Sequence, residues 1–258
     1  FKICCFIAQI TSDNSLKVIG IGHHLAQGIK NGSISDIRAT ENSIIAAVTA
    51  AEKMAGETID KVVLCSSGGN PSSTRITASV EISGSVVSPR DIKRAVISAK
   101  EYLDEPNRRI IHAVPVSFAI DDIRGVEDPV GMAGNELTAE VHLITSSEST
   151  LKNIANCVSN CQLQIQDYVV SSHASGLACL TDDEKELGVT LIEMGGGVTS
   201  FSVFMHGKNI FTDSVPYGGI HVTSDIARGL NTTIDSAERI KTLYGSATEA
   251  SSDNDTMI

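Results

Sequence analysis

The sequence lacks two features that would each point to a whole class of function: an excess of positive charge and a long apolar run. Its 258 residues contain 20 Lys and Arg against 31 Asp and Glu, a formal net charge of −11. An acidic chain is a poor partner for a phosphate backbone, so we expect no nucleic-acid binding. No stretch approaches the roughly 18 apolar residues that a membrane-spanning helix needs. A transmembrane helix is therefore not expected either.

The two commonest nucleotide-binding motifs are also missing. A Walker loop ends in Gly-Lys-Ser/Thr, and both it and the Rossmann fingerprint lead from a glycine run into a helix. The strongest glycine run of this chain, Gly195 to Gly197, instead stands between two apolar strands. These absences leave the phosphate-binding folds that use a strand–turn–strand arrangement. No nucleophile with a positioned base is evident, so we assign no catalytic residue.

The composition is that of a globular α/β protein of one or two domains, with 41% apolar and 20% charged residues. Strand patterns cover Phe1 to Ile10, Lys17 to Leu25 and Gln27 to Ile37, the last broken by the tight-turn pair Asn31-Gly32, and a helix follows them. The segment from Val189 onward begins in the same order, with three strands and then a helix. Two similar halves indicate a duplication, and such halves often enclose a nucleotide cleft.

Local patterns give more detailed expectations. A helix is predicted over Asn42 to Ala55, with Thr40 as its N-cap. A compact αβ unit, about Thr77 to Ile144, is predicted as an insertion, with a turn-rich connection over Ile123 to Pro129. The acidic run Asp182 to Glu186 is predicted to be a charged surface link.

The glycine run carries the strongest chemical signal. Consecutive N–H groups in such a turn form a nest suited to phosphate, and Thr199 adds a hydroxyl. Glu193, at the end of the preceding strand, places a carboxylate where it holds Mg²⁺ through water. The alternative is a flexible hairpin turn without a ligand. From these residues alone the two interpretations are equally supported.

Two weaker signals follow the glycine run. Gly218 and Gly219 precede a predicted helix whose free N–H groups attract anions. A plain strand-to-helix turn is equally compatible with them. Glu238 and Lys241 lie three apart on one helix face, where they can hold a ribose and an adenine edge. A solvated ion pair is the commoner explanation of such a pair.

Taken together, these signals resemble the FtsA family of bacterial cell division proteins, within the actin and heat-shock-chaperone ATPase superfamily. The resemblance extends over almost the whole chain, and its most specific runs are Asp-Pro-Val-Gly-Met and Thr-x-Asp-Ile-Ala-Arg. The matching stretches are Gly20 to Gly22, Gln27 to Gly32, Ala51 to Gly56, His112 to Pro115, Glu127 to Met132, Leu191 to Thr199, Val222 to Leu230 and Ala237 to Lys241.

The resemblance implies an actin-like, ribonuclease H-like α/β fold of duplicated lobes with an inserted αβ subdomain. The first lobe would cover residues 1–76, the insertion 77–145, the end of the first lobe and the connection between lobes 146–182, and the start of the second lobe 183–258. The cofactors implied are ATP and Mg. The cofactor-binding residues would be Gly195, Gly196, Gly197, Thr199, Gly218, Gly219, Glu238 and Lys241, with Glu193 at the metal.

The implied function is an ATP-binding division protein that tethers the FtsZ ring to the cytoplasmic face of the inner membrane. It would self-associate into filaments and recruit later division proteins through the inserted subdomain. ATP would act mainly as an assembly switch, with at most weak hydrolysis. The alternatives are a sugar or acid kinase and a pilus-assembly ATPase of the same superfamily.

The chain departs from the family pattern in several places. The family usually has Asp where this chain has Glu193, and Thr where it has Val198. An Asp-x-Gly motif expected before Lys2, the second adenosine motif and the C-terminal amphipathic membrane helix are absent. The first strand is also so apolar that it needs partners on both sides. We therefore expect a fragment of a longer protein that binds ATP weakly or not at all by itself.

Overall fold

The computed structural model describes residues 2–248 as a mixed α/β protein. Phe1 and the end of the predicted second lobe, residues 249–258, lie outside the described residues. The strands are β1 Lys2–Ile10, β2 Leu16–Leu25, β3 Ile29–Lys30, β4 Ser33–Ile34, β5 Lys61–Ser66, β6 Ser72–Glu81, β7 Arg108–Ile120, β8 Ile123–Val126, β9 Glu136–Ser147, β10 Gln164–Val170, β11 Val189–Met194, β12 Thr199–Met205 and β13 Lys208–Val215. The helices are α1 Ile37–Ala55, α2 Pro89–Glu101, α3 Glu148–Asn160, α4 Ser171–Cys179, α5 Asp182–Leu187, α6 Gly219–Gly229 and α7 Ile234–Tyr244. Within residues 2–248, no helix has both the length and the apolar character needed to cross a membrane.

The first part of the fold is an antiparallel pair, β1 and β2, covered on one face by α1. Two glycines of β2 allow the helix to come this close, since a Cβ on Gly20 or Gly22 would collide with a carbonyl oxygen of α1. The helix meets them with small side chains, and both Ala47 and Ala51 are fully buried. Backbone-to-backbone packing of this kind fixes the helix tightly on the sheet.

The predicted break of the third strand at Asn31-Gly32 is confirmed. Within Gln27 to Ile37 the chain makes a hairpin of two very short strands, β3 and β4, which pair only with each other. Asn31 and Gly32 form its turn with φ of 48° and 74°. Both central residues have positive φ, as a tight hairpin turn requires, so the Asn-Gly pair reverses the chain and divides the predicted strand into two short ones.

The predicted cap of α1 is wrong. The helix begins one turn earlier, at Ile37, because the Asp36 carboxylate accepts a hydrogen bond of 3.0 Å from the Ala39 N–H. Thr40 lies inside the helix, where its hydroxyl donates to the Asp36 carbonyl at 2.7 Å. The helix ends at Ala55, as predicted, because Gly56 adopts the left-handed conformation with φ of 75°.

A second sheet pair, β5 and β10, is parallel and joins the first part of the chain to its middle. Helices α1 and α3 pack together over it, and a small core forms from Ile44, Cys157, Val158 and Leu163. In the described part of the chain β1 has no hydrogen-bonded partner on its side facing β5. The expected second partner of this apolar strand is thus not among the described strands.

The middle of the chain forms a four-stranded antiparallel sheet in the order β6-β9-β7-β8, with α2 packed on one face. Its core contains fully buried Ala95, Leu137 and Val141. The turn-rich connection predicted over Ile123 to Pro129 is wrong at its start, because β8 pairs there with the end of β7. Asp121, with φ of 49°, makes the tight reversal that allows this pairing.

The last part of the chain is a meander, β11-β12-β13, followed by α6 and α7. The predicted surface link over Asp182 to Glu186 is a short helix, α5, because Thr181 and Glu184 form a reciprocal capping box. The meander packs against the middle sheet, where the Thr212 N–H donates to the Ser73 hydroxyl at 2.8 Å. Three strands and a helix here correspond to two strands, a hairpin and a helix at the start of the chain.

Candidate functional site

The glycine turn connects β11 to β12 and is closed by a hydrogen bond of 2.9 Å from the Gly195 N–H to the Val198 carbonyl. Among the described residues, the N–H groups of Gly196, Gly197 and Val198 have no acceptor. Gly197 and Val198 are buried, so bulk water does not readily satisfy these donors. Three consecutive free N–H groups form the kind of concave donor surface that binds an anion.

The first amides of α6 are attached to this turn. The Gly219 N–H donates to the Gly195 carbonyl at 3.0 Å, and the Ile220 N–H donates to the Gly196 carbonyl at 2.8 Å. The sequence suggested that these helix amides would be open to a ligand. In the structure they instead hold the turn, and its carbonyls point towards the helix. The amides on the turn itself are the ones that remain available.

A glycine is needed at Gly218 because the turn and the helix start approach each other closely there, and not because its φ is unusual. A Cβ there would lie 2.7 Å from the Gly196 carbonyl carbon and would collide with the Gly195 carbonyl oxygen. Neither Gly195, Gly218 nor Gly219 has a φ in the left-handed region. Gly218 therefore allows backbone-to-backbone contact between the turn and the helix start, whereas a Cβ on Gly219 would meet no atom closer than 3.5 Å.

Lys241 connects α7 to the same place. Its Nζ donates to the Gly219 carbonyl at 3.1 Å, to the Thr223 hydroxyl at 2.8 Å and to the Glu238 carboxylate at 2.7 Å. The Thr223 hydroxyl also bonds Glu238, and Thr223 is fully buried. Lys241 first, and then Thr223, hold the pKa of Glu238 below its ordinary value. The predicted pair is therefore anchored to the start of α6 and is more than a solvated ion pair.

Sequence reasoning missed Thr223. It stands four residues after Gly219 on α6, and its hydroxyl oxygen lies 3.0 Å from the Gly219 carbonyl oxygen while its proton is donated to the Glu238 carboxylate. The signal available was its position one turn into the helix that precedes the Glu238 and Lys241 pair. Nothing in the spacing alone, however, shows that α6 and α7 pack against each other there.

The two oxygen-bearing residues next to the turn behave differently. The Oε2 of Glu193 is buried and has no hydrogen-bond partner among the described residues. The Thr199 hydroxyl donates to the Tyr217 carbonyl at 2.8 Å, so its proton is directed at the protein chain. In this arrangement Glu193 has a carboxylate oxygen available for a cation. The Thr199 hydroxyl instead connects β12 to the segment before α6.

The turn also meets two loops from the first part of the chain. A Cβ on Gly32 would lie 2.8 Å from the Gly68 Cα and 3.1 Å from the Val198 Cγ2. The Asn31–Gly32 turn, the loop after β5 and the glycine turn therefore converge at one cleft. Sequence reasoning took Asn31–Gly32 only as a tight turn and missed this position. The glycines at this cleft have no side chains, so the backbones of the three segments can approach one another closely.

These features fit a nucleotide with a divalent cation. The free amides of Gly196, Gly197 and Val198 match the oxygens of a phosphate. An unpartnered buried carboxylate oxygen on Glu193 matches a hard cation, which takes oxygen ligands and keeps several waters. Lys241 and Glu238 on α7 supply polar groups next to the start of α6.

His112 on β7 and His173 on α4 pack against each other. The Nε2 of His112 accepts a hydrogen bond of 3.1 Å from the Val170 N–H, and its ring lies 4.6 Å from that of His173. Burial, with a smaller contribution from His173, lowers the pKa of His112 to about 4. The Nδ1 of His173 is 2.9 Å from the Asn209 amide. Both rings are engaged in packing between elements.

Two family models match the chain. One, described as the SHS2 domain inserted in FTSA, matches residues 68–145, and the other, Cell division protein FtsA, matches residues 190–257. The chain is 41% identical over 262 residues to Cell division protein FtsA of Rhizobium meliloti, covering 98% of this chain and 59% of that protein. It is 33% identical over 246 residues to the Escherichia coli K12 protein of the same name, covering 95% of this chain and 59% of that protein. The chain thus spans 59% of the length of either relative.

Solved structures share the fold. A chain of the PilM-PilN type IV pilus biogenesis complex matches with a TM-score of 0.63 and 16% identity, over 95% of this chain and 67% of its own length. The ethanolamine utilization protein EutJ from Carboxydothermus hydrogenoformans matches with a TM-score of 0.50 and 14% identity, over 93% of this chain and 57% of its own length. The predicted actin-like α/β fold is confirmed.

Proposed function

Because the chain belongs to the FtsA family of cell division proteins, we propose that it forms part of an actin-like, ATP-binding protein of the division machinery. The observation that carries the proposal is the glycine turn, whose three free N–H groups are held in place by the start of α6. A rigid anion nest next to an unpartnered carboxylate oxygen is suited to a nucleotide phosphate and its cation.

We assign each residue of the site a role in holding ATP and Mg. Gly195, Gly196 and Gly197 form the phosphate turn, and Gly218 and Gly219 keep it against α6. Glu193 holds Mg²⁺ through water, while Glu238 and Lys241 hold the ribose and the adenine edge. Thr199 fixes the turn's exit strand through the Tyr217 carbonyl.

ATP in this proposal is a conformational and assembly switch. Two loops from the first part of the chain and the glycine turn of the β11-β12-β13 meander converge at the cleft. A bound phosphate therefore contacts both parts of the chain. A ligand that binds the closed arrangement better than the open one shifts the population towards it. Hydrolysis in this proposal is at most weak, because the carboxylate next to the turn, Glu193, is assigned to the cation.

The partners proposed come from the family. The full-length protein tethers the tubulin-like FtsZ ring to the cytoplasmic face of the inner membrane and self-associates into filaments. The inserted unit, residues 77–145 within the four-stranded sheet, receives later division proteins. Membrane attachment uses a C-terminal amphipathic helix outside these residues, and no nucleic acid takes part.

One specific observation favours a second candidate, a pilus-assembly ATPase. The fold likeness to a chain of the PilM-PilN complex is the basis for it, but at 16% identity that likeness concerns the fold alone. A sugar or acid kinase would need a catalytic acid facing a substrate pocket, and the acid next to the glycine turn, Glu193, is assigned here to the cation.

A pull-down separates these candidates. The full-length protein is immobilised and incubated with purified FtsZ, in the presence and absence of ATP with Mg²⁺. We expect FtsZ to be retained, whereas a purified PilN-type partner is not. Absence of FtsZ binding by the full-length protein would overturn the division assignment, whatever the nucleotide result.

A further inference from the structure

The segment between β5 and β6 connects the cleft at the glycine turn to the middle sheet. We call this segment, residues 67–71, the junction loop. It begins at the cleft, where a Cβ on Gly68 would lie 3.1 Å from the Gly32 carbonyl carbon and would collide with the carbonyl oxygen. It ends at β6, an edge strand of the middle sheet. The loop is therefore a covalent link between the cleft and the sheet that contains the inserted unit.

Strand β9 of the middle sheet holds the first carbonyl groups of the junction loop. The Ser146 hydroxyl oxygen lies 3.1 Å from the Gly68 carbonyl oxygen and 3.2 Å from that of Gly69. The Ser147 N–H donates to the same Gly69 carbonyl at 2.8 Å. Ser146, Gly68 and Gly69 are all buried, so bulk water does not compete for these bonds.

Arg108, the first residue of β7, holds the rest of the loop. Its Nη2 lies 2.8 Å from the Asn70 carbonyl oxygen, 2.7 Å from the Ser72 hydroxyl oxygen and 2.9 Å from the Thr145 carbonyl oxygen. Its Nε donates to the Thr145 hydroxyl at 2.7 Å, and the Glu105 carboxylate lies 3.3 Å from the same nitrogen. One guanidinium thus connects the loop to β6 and β9. Its planar set of donors suits this arrangement, which a lysine ammonium does not reproduce.

The backbone of the junction loop depends on these bonds. Gly69 and Asn70 have positive φ, 81° and 52°, and this left-handed conformation is unfavourable for a residue with a side chain. Arg108 binds the carbonyl of Asn70, the one of the two that carries a side chain. From the last meander, the Ser214 hydroxyl donates to the Pro71 carbonyl at 3.0 Å. The shape of the loop is therefore set by the elements around it.

We infer that Arg108 is a positioning residue, which couples the middle sheet and its inserted unit to the glycine turn by holding the junction loop. The contact passes through Gly32, whose Cβ would lie 2.8 Å from the Gly68 Cα and 3.1 Å from the Val198 Cγ2. Displacement of the loop therefore disturbs the cleft beside the anion nest. The inference rests on the proposed function in one respect, that ATP occupies this cleft. Coupling is reciprocal, so ATP in turn restrains the loop.

The loop is tested first, in the full-length protein without nucleotide. Arg108→Gln removes the planar cation, and Arg75→Gln, at an exposed pair with Glu140 on the same sheet, is the matched control. The Ser147 amide reports on the loop because it donates to the Gly69 carbonyl. We expect this amide to exchange with deuterium at least about tenfold faster in Arg108→Gln and at the wild-type rate in Arg75→Gln. Equal exchange in both variants would overturn the inference, whatever the nucleotide result.

The coupling is tested by isothermal titration calorimetry of the same full-length proteins with ATP and Mg²⁺, well below their unfolding temperatures. We expect ATP affinity at least about tenfold lower in Arg108→Gln and unchanged in Arg75→Gln. Arg108→Lys should not restore it, because an ammonium lacks the planar donors. Unchanged affinity in a folded Arg108→Gln protein would overturn the coupling, and so would full restoration by Arg108→Lys, since a point charge would then suffice.

Exchange with and without ATP completes the test. In the wild type we expect ATP with Mg²⁺ to slow exchange of the Ser147 amide, and in Arg108→Gln we expect this slowing to be lost. A purely structural role of Arg108 would not produce that difference, so equal slowing in both proteins would overturn the coupling. The two possible failures are distinguishable. A wild type that binds no ATP contradicts the proposed function, whereas a wild type that binds ATP no more tightly than Arg108→Gln contradicts only the coupling.

Discussion

The amide of Gly219 donates a 3.0 Å hydrogen bond to the carbonyl oxygen of Gly195. This bond joins the two glycine elements that the sequence presented as separate signals 24 residues apart in numbering. It uses a helix amide that would otherwise be open and leaves the amides of the turn free. The turn therefore has a fixed shape because α6 starts where it does.

The contact between the turn and α6 can be tested with Gly218→Ala. The added Cβ would lie 2.7 Å from the Gly196 carbonyl carbon, so the helix start has to move away from the turn. We expect a loss of about 1–3 kcal/mol in the free energy of unfolding, measured by urea denaturation. Gly229→Ala, on the same helix with no atom within 4 Å of its Cβ, should be neutral or stabilising by up to about 1 kcal/mol. Equal stability of both variants would contradict the close contact.

The role of Lys241 can be separated from that of an ordinary surface ion pair. Lys241→Ala removes its bonds to the Gly219 carbonyl and to Glu238, so the pKa of Glu238 should rise towards its ordinary value. NMR titration of the Glu238 carboxyl carbon measures this change. We also expect about 1–2 kcal/mol lower stability, against less than about 0.5 kcal/mol for Lys152→Ala at the exposed pair with Glu148. An unchanged Glu238 titration would exclude the network.

Glu193→Gln should have opposite effects on stability and on cation dependence. Its Oε2 is buried without a partner, so removing the charge should raise the free energy of unfolding of the ligand-free chain by about 1 kcal/mol. In the full-length protein the same change should remove the Mg²⁺ dependence of ATP binding. Glu57→Gln, at an exposed carboxylate, is the control for both measurements. Retained Mg²⁺ dependence in Glu193→Gln would exclude this residue from the cation site.

Three histidines meet where the middle sheet packs on the last meander. His142 is fully buried, and neither of its ring nitrogens has a hydrogen-bond partner among the described residues. Burial is the main cause that lowers the pKa of His142, as it does that of His112, to about 4 in each case, and it lowers that of His173 too. Asp167 partly offsets the effect at His112, and Arg75 adds to it at His142.

This cluster predicts acid sensitivity. Below the ordinary value of 6.5 the unfolded chain binds protons that the folded chain does not, so stability falls as the pH drops from 6.5 towards about 4. Each histidine contributes a slope of at most about 1.4 kcal/mol per pH unit in that window. In His142→Leu the slope of the unfolding free energy against pH should be smaller by the share of one histidine. A slope equal to that of the wild type would show that His142 is not held neutral.

Much of the fold was predictable because it depends on local patterns. The glycine that ends α1, the strand–turn–strand around Gly195 to Gly197 and the helix after Gly219 follow from short-range rules on φ, alternation and capping. The errors arose where a competing local bond won. Asp36 caps α1 ahead of Thr40, and Thr181 with Glu184 turns an acidic link into a helix.

The site was predictable in its residues but not in its connections. Composition and spacing selected Glu193, Gly218 and Lys241, yet the hydrogen bonds that unite them cross between elements. Thr223 could not be found, because its burial depends on how α6 packs on α7. The convergence of Gly32 with the glycine turn likewise depends on the arrangement of the two halves, which no local pattern contains.

The most direct test of the account is ATP binding by the full-length protein, measured by isothermal titration calorimetry with Mg²⁺. Gly196→Val places a branched side chain in the middle of the anion nest, and Gly84→Val, at a site with nothing within 4 Å of its Cβ, is the matched control. We predict that the wild type and Gly84→Val bind ATP with similar affinity and that Gly196→Val does not bind it. Unchanged affinity in a folded Gly196→Val protein would show that the glycine turn is not the phosphate site.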